Sequence, residues 1–168
     1  MDFNGTQLIR APRADVWKRL NDPATLKACL PGCESYEAAQ DGAYDAVILA
    51  ALGPVKARFK GTAQILNVDE GTAYRIEGSG SGGIAGHGKL GADVWLESSE
   101  EGTVLNFRAD VQMAGKLAQL GSRLVGSVAN KFVAEFFSRF EQTVSADVGK
   151  PGATAAWNLS TGAQEAAS

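Results

Sequence analysis

The sequence predicts an α+β fold in which one antiparallel sheet packs against one long helix near the C-terminus. In the middle of the chain, apolar residues alternate with polar ones, as they do in half-buried strands. From Gly115 to Val144 they recur every three or four positions, which is the spacing of one helix face. Because a helix this apolar cannot stand alone in water, we expect it to lie on the sheet.

The chain opens with one strand and two short helices. The segment from Phe3 to Arg10 is predicted to form the first strand. Pro12 suits the first position of the first helix, where its missing N–H costs nothing. Asp22 is a plausible cap for the second helix, with Leu26 as its buried contact. That helix ends near Pro31.

About six strands follow, giving about seven in all, and glycine-containing turns separate them. These turns are Asp41-Gly42, Gly53-Pro54, Glu70-Gly71 and Glu101-Gly102. The clearest strand runs from Leu105 to Met113, whereas the strand through Ile48-Leu49 is apolar on both faces and its facing stays open. The basic row of Lys56, Arg58 and Lys60 indicates a solvated surface, or a docking stripe for an acidic partner or an anionic membrane.

The long helix carries a wide apolar stripe. Its members are Leu117, Leu120, Leu124, Val128, Phe132, Phe136 and Phe140. Gly115, Gly121 and Gly126 lie in or near this helix, and an interior glycine costs about 1 kcal/mol relative to alanine. Either the helix packs closely on the sheet at these positions, or the missing side chains leave room for a ligand.

Composition bounds the function. Residues 1–148 read as one domain and residues 149–168 as a flexible tail rich in Gly, Ala, Ser and Thr. The net charge of -3 argues against nucleic acid as the main partner. No run reaches the roughly 18 apolar residues of a membrane span, and the N-terminus has no signal-peptide pattern. We therefore expect a cytoplasmic protein with two free thiols.

Three motifs that suggest chemistry fail in context. The glycines Gly86, Gly88 and Gly91 match a dinucleotide fingerprint, but a strand rather than a helix is predicted after them. Cys29 and Cys33 with a single histidine, His87, cannot supply the four ligands of a structural metal site. We therefore predict no catalytic residue and no metal site. The glycine-rich segment either relieves crowding where the sheet bends or admits a ligand to the backbone.

Several segments together resemble the G-subunit family of carbon monoxide dehydrogenase. They are Phe3-Asn4-Gly5, Pro12 with Val16-Trp17 and Leu20, Asp22-Pro23 with Leu26, Cys29-Leu30-Pro31-Gly32-Cys33, Gly53-Pro54-Val55 with Phe59-Lys60-Gly61, and Gly115-Lys116-Leu117-Ala118-Gln119-Leu120-Gly121-Ser122-Arg123-Leu124. The resemblance covers about Met1 to Val148. It implies the helix-grip fold of the START-like superfamily, a curved antiparallel sheet of seven strands around the C-terminal helix.

The resemblance also implies a role beside a molybdenum hydroxylase of the carbon monoxide dehydrogenase type. Such a protein would recruit the hydroxylase to the membrane and pass its electrons to a quinone held in an apolar cavity, with no metal or covalent cofactor of its own. Peripheral contact at the inner face of the cytoplasmic membrane is then expected. Membrane-attached members tend to have a longer C-terminal extension, so no autonomous anchor is expected in the short tail.

Three hypotheses follow: a non-enzymatic quinone or lipid carrier that enables electron transfer, a cyclase- or hydrolase-type enzyme of the same superfamily, and an assembly factor without a ligand. The first predicts an apolar cavity between sheet and helix. Its candidate ligand-binding residues are Tyr74, Ile76, Phe107, Met113, Leu120, Leu124 and Val128. These stripes could also be ordinary packed core.

Overall fold

A computed structural model describes residues 1–147 and 160–161. The strands are β1 (Asp2–Ile9), β2 (Cys33–Ala38), β3 (Ala43–Leu52), β4 (Val55–Asp69), β5 (Ala73–Ser81), β6 (His87–Ser99), β7 (Gly102–Ala114) and the two-residue β8 (Ser160–Thr161). The helices are α1 (Arg13–Leu20), α2 (Pro23–Cys29) and α3 (Ser122–Asp147), with 3-10 turns at Gly83–Ala85 and Gly115–Gln119. The predicted tail, residues 149–168, lies outside the described residues except for β8.

The strands form one antiparallel sheet in the order β2-β3-β4-β5-β6-β7-β1-β8. Every predicted turn joins neighbouring strands, because glycine at Gly42, Gly53, Gly71 and Gly102 adopts the positive φ that these reversals need. Seven of the strands are long, and the sheet curves around α3, which confirms the predicted α+β architecture. The pairing also settles the facing of β3: Ile48 pairs with the inward Phe59, whereas Leu49 lies opposite Arg58 on the outer face.

The long helix begins later than its apolar pattern predicts. It starts at Ser122 rather than Gly115, because Gly115 and Gly121 have φ values of 73° and 85°, which an α-helix cannot contain. Leu117 and Leu120 therefore precede the helix, in and next to the second 3-10 turn. The helix-interior cost of glycine applies only to Gly126.

Three local details also correct the sequence prediction. Pro12 immediately precedes α1 instead of occupying its first turn. In α2 the buried residues are Thr25 and Cys29, while Leu26 is only half-buried. Asn106 lies on the outer face opposite Trp95, as alternation predicts, but it is buried there rather than solvated, and its amide donates a hydrogen bond to Glu97 at 3.0 Å.

The apolar core lies at two places between sheet and α3. The larger cluster joins α1 to the C-terminal half of α3 and includes Val16, Leu96 and Phe140, all at most 2% exposed. The smaller cluster centres on Phe3 and Val125, near the start of α3. Phe107 and Val133 pack on both clusters, which together hold α3 on the sheet.

Candidate functional site: a gap between the sheet and the long helix

A row of glycines leaves part of the inner face of the sheet bare beside the smaller core cluster, since Gly88 pairs with Met113, which packs on that cluster. Alternation along the strands places Gly78, Gly80 and Gly88 on the face that carries the core. A Cβ built on any of the three would lie within 4 Å only of atoms of the neighbouring strands, and of no described atom of α3. The helix therefore does not touch the sheet at these positions.

The apolar residues around this bare surface are incompletely buried. Leu90 lies on the same strand face as the buried Ala92 and Val94, yet it is 38% exposed. On the helix, Leu124, Val128 and Phe132 are half-buried and belong to neither core cluster. Solvent thus reaches the inner face, and we interpret the space as a gap lined by backbone and apolar side chains.

The structure divides the seven residues predicted to line a cavity into three groups. Tyr74 is buried and Phe107 stacks on Phe137, with ring centroids 6.3 Å apart, and both belong with Ile76 to the larger core cluster. Met113 and Leu120 pack on the smaller cluster.

The remaining two predicted residues, Leu124 and Val128, lie on α3 outside both clusters. Leu124 also covers the β3–β4 turn, since its Cδ2 would be 2.8 Å from a Cβ on Gly53. Five of the seven predicted residues therefore belong to packed core, and two lie on α3 outside it. The glycines that create the bare surface were recognised only as a segment that could admit a ligand.

All three tyrosines of the chain lie on the inner face of the sheet. The rings of Tyr36 and Tyr44 stack, with centroids 5.2 Å apart. Burial raises the pKa of Tyr36 to about 12, with a further contribution from Tyr44. The pKa of Tyr74 is also raised, mainly by burial and further by Tyr36 and Tyr44. The hydroxyls of Tyr36 and Tyr74 therefore keep their protons at neutral pH and can donate hydrogen bonds.

Neither cysteine has the environment of a reactive thiol. Both are free, and Cys29 is buried. Burial raises the pKa of each thiol above its ordinary value, whereas nucleophilic cysteines have a lowered pKa. Among residues 1–147 and 160–161, no group of three His, Cys, Asp or Glu side chains could hold a metal ion.

The glycine fingerprint has the context that the sequence predicted. His87 is exposed and begins β6, so Gly86 precedes this strand, Gly88 and Gly91 lie within it, and no helix begins directly after them. This segment therefore lacks the helix N-terminus that would hold the pyrophosphate of a dinucleotide.

The outer face of the sheet carries a shallow groove of about 350 Å³. It is lined mainly by charged and polar residues, together with Gly78, Leu90 and Gly91. Its central cation, Arg75, is already paired with Glu77 at 3.1 Å and with Asp93 at 3.0 Å. This groove therefore has the character of a solvated, ion-paired sheet surface.

The architecture is that of the helix-grip, START-like proteins. A conserved protein from Geobacillus kaustophilus is 25% identical, with a TM-score of 0.81 over 88% of this chain and 97% of that one. A Thermus thermophilus protein is 18% identical, with a TM-score of 0.65 over 88% of this chain and 99% of the other. A Rhodobacter sphaeroides protein is 17% identical, with a TM-score of 0.64 over 86% and 93% of the two chains.

Within that class, the profile of the carbon monoxide dehydrogenase G-subunit (CoxG) family matches residues 5–145, and the chain belongs to this family. No curated protein matches the chain in sequence. In the described part of the chain, no helix is long and apolar enough to cross a membrane.

Proposed function

We propose that this protein is a non-enzymatic carrier that holds a lipophilic quinone in the gap between the sheet and α3. The observation that carries the proposal is the bare inner face at Gly78, Gly80 and Gly88, where no described atom of α3 comes within 4 Å of a Cβ position. An isoprenoid chain buried there would gain about 25 cal/mol for each Å² removed from water. Membership in the CoxG family, named for an accessory component of carbon monoxide dehydrogenase, supports a carrier.

The tyrosine cluster supplies the polar contacts that a quinone head needs. Quinone carbonyl oxygens accept hydrogen bonds, and one or two well-placed donors are enough to orient a ligand in an apolar pocket. The hydroxyls of Tyr36 and Tyr44 are the candidate donors. Because the pKa of Tyr36 is raised to about 12, its hydroxyl keeps its proton at neutral pH and suits binding better than proton abstraction.

We further propose that the carrier serves a molybdenum hydroxylase of the carbon monoxide dehydrogenase type and connects it to the membrane quinone pool. The family assignment supports this partner. Co-elution of the full chain with such a hydroxylase in gel filtration, and faster reduction of quinone when the chain is present, are the expected results.

Ligand binding is tested by filling the gap without disturbing the outer face. Gly80→Leu places a side chain in the gap, whereas Ser79→Leu adds the same side chain at the next residue, which is exposed on the opposite face. Saturable binding of a menaquinone or ubiquinone analogue should be lost in Gly80→Leu and kept in Ser79→Leu. Native mass spectrometry of the full chain should show a co-purified quinone or lipid on the unmodified protein and on Ser79→Leu, but not on Gly80→Leu.

Other outcomes would assign the gap differently. Absence of any bound lipophile, together with no saturable quinone binding in the unmodified protein, would contradict the carrier and favour an assembly factor. Turnover of a bound compound in the absence of the hydroxylase would favour an enzyme of the cyclase or hydrolase kind.

A further inference from the structure

Three loops meet at one end of the gap. The β3–β4 turn contacts α3 through Gly53 and Leu124, and the loop between β5 and β6 lies against the second 3-10 turn. There a Cβ on Gly86 would be 3.3 Å from the backbone nitrogen of Lys116, and one on Gly115 would be 2.9 Å from the Cα of Gly86. We call this end, formed by residues 46–60, 78–92 and 111–124, the loop end.

An apolar side chain projects from the loop end. Ile84 is 87% exposed, more than any other large apolar residue in the described part of the chain. Gly83 beside it has a φ of 65° and no described atom within 4 Å of its Cβ position, so this loop reaches into open space. Leaving an isoleucine so exposed costs hydrophobic free energy that a partner surface would recover.

The charges of the three loop-end segments have a single sign. Residues 46–60, 78–92 and 111–124 contain no Asp or Glu, although the chain as a whole has a net charge of -3. Their charged side chains are all exposed cations: Lys56, Arg58, Lys60, Lys89, Lys116 and Arg123. Apart from Arg58, which is paired with Glu34, none of these has an ion pair with a described residue.

The turns at the opposite end of the sheet, after β2, β4 and β6, carry acidic residues: Asp41, Glu70, Glu100 and Glu101. The loop-end segments, by contrast, carry only cations. This difference favours an approach of the loop end to an anionic surface, once the two are within a Debye length of about 8 Å at physiological salt.

We propose that the loop end docks on an anionic lipid bilayer, with Ile84 inserted among the acyl chains and the loop-end cations on the lipid headgroups. Peripheral membrane-binding surfaces combine an exposed apolar side chain with cations in this way. Docking in this orientation would place the loop end of the gap at the membrane. The inference goes beyond the proposed function, since it concerns the membrane surface and needs no quinone to be bound.

The test is sedimentation of the full chain with quinone-free vesicles of phosphatidylglycerol and phosphatidylcholine. Binding should be strong at low salt, weak at high salt and absent on pure phosphatidylcholine. Ile84→Ser should weaken binding at least about fivefold. Lys116→Ala should weaken it about fivefold, the effect of one cation near an anionic surface, and Lys116→Glu should weaken it further.

Two control variants make the same changes away from the loop end. Val68→Ser alters an apolar residue that is 52% exposed near the end of β4, and Lys18→Glu alters an exposed lysine on α1. Both should bind vesicles like the unmodified protein. All substituted residues are exposed, so melting temperatures should stay unchanged and loss of binding reports the surface itself.

Two results would overturn the proposal. One is no vesicle binding by the unmodified protein at low salt, which would leave the loop end as a surface for an acidic protein. The other is binding that Ile84→Ser and Lys116→Glu leave unchanged, which would place membrane contact elsewhere. Because no quinone is present, failure here is distinct from failure of the carrier proposal, which rests on ligand binding.

Discussion

Alanine substitutions at two paired glycines test whether the gap is open. Gly61 on β4 and Gly80 on β5 are direct partners on the inner face of the sheet. A Cβ on Gly61 would be 2.2 Å from the carbonyl oxygen of Ser79, so the two strands would have to separate. A Cβ on Gly80 would have the carbonyl oxygen of Lys60, at 3.6 Å, as its nearest described atom, which is ordinary contact.

The two variants should therefore change stability in opposite directions. Gly80→Ala should raise the free energy of unfolding by about 0.4–1 kcal/mol, because alanine restricts the unfolded chain without strain in the folded one. Gly61→Ala should lower it by about 1–3 kcal/mol through overpacking. For a chain of this length, about 2–4 °C per kcal/mol gives a melting temperature about 1–4 °C higher for Gly80→Ala and about 2–12 °C lower for Gly61→Ala.

Thermal and urea unfolding, followed by circular dichroism, measure both changes. If Gly80→Ala destabilised the protein as much as Gly61→Ala, α3 or another segment would have to fill the space over β5. The gap, and with it the carrier proposal, would then be refuted.

Four further predictions concern other parts of the structure. Phe140→Ala should lower the free energy of unfolding by about 3–5 kcal/mol, because Phe140 is fully buried. Phe132 lies two turns earlier on α3 and outside both clusters, so Phe132→Ala should cost less than half of that; urea unfolding measures both changes. Since the pKa of Tyr36 rises from 10.0 to about 12 on folding, its contribution to stability is complete below about pH 10 and is lost as the pH rises toward 12. When unfolding is measured at a series of pH values, Tyr36→Phe should therefore lose less stability than the unmodified protein between about pH 10 and pH 12. Arg58 holds the pKa of the Glu34 carboxyl below its usual value, so Arg58→Ala should raise that pKa in an NMR titration while leaving the melting temperature nearly unchanged. Gly121 has a φ of 85° and no described atom within 4 Å of its Cβ position, so Gly121→Ala should cost about 1–2 kcal/mol through backbone strain alone; unchanged stability would mean that the helix can begin earlier, as its apolar pattern predicts.

The fold could be predicted from the sequence because two periodicities dominate it. Alternation from Leu105 to Met113 and the helical stripe from Leu124 to Phe140 both reflect burial on one face, and the structure places them as expected. The start of α3 could not be predicted in the same way. Periodicity continues through Leu117 and Leu120, and only the backbone conformations of Gly115 and Gly121 show that the helix has not yet begun.

The lining of the site was harder to predict than the fold. An apolar stripe has the same sequence pattern whether it is packed, as for Tyr74 and Phe107, or lies outside both core clusters, as for Val128. A signal was nevertheless present, since Gly78 and Gly80 are two residues apart in a strand and must share one face. Strand pairing then brings that face next to Gly61 and Gly88, but the register of four strands cannot be read from spacing alone.

Bare strands make a gap only if the helix above them cannot settle onto the sheet. Here α3 is held at both ends: Leu124 rests on the turn at Gly53, and Phe140 is fully buried in the larger cluster. Between these residues Val125, Ala129 and Val133 pack on the core clusters, and a helix that is stiff over four turns cannot also bend down to the glycines of β5 and β6. The gap therefore depends on where α3 is packed as much as on the missing side chains, and neither feature would be sufficient without the other.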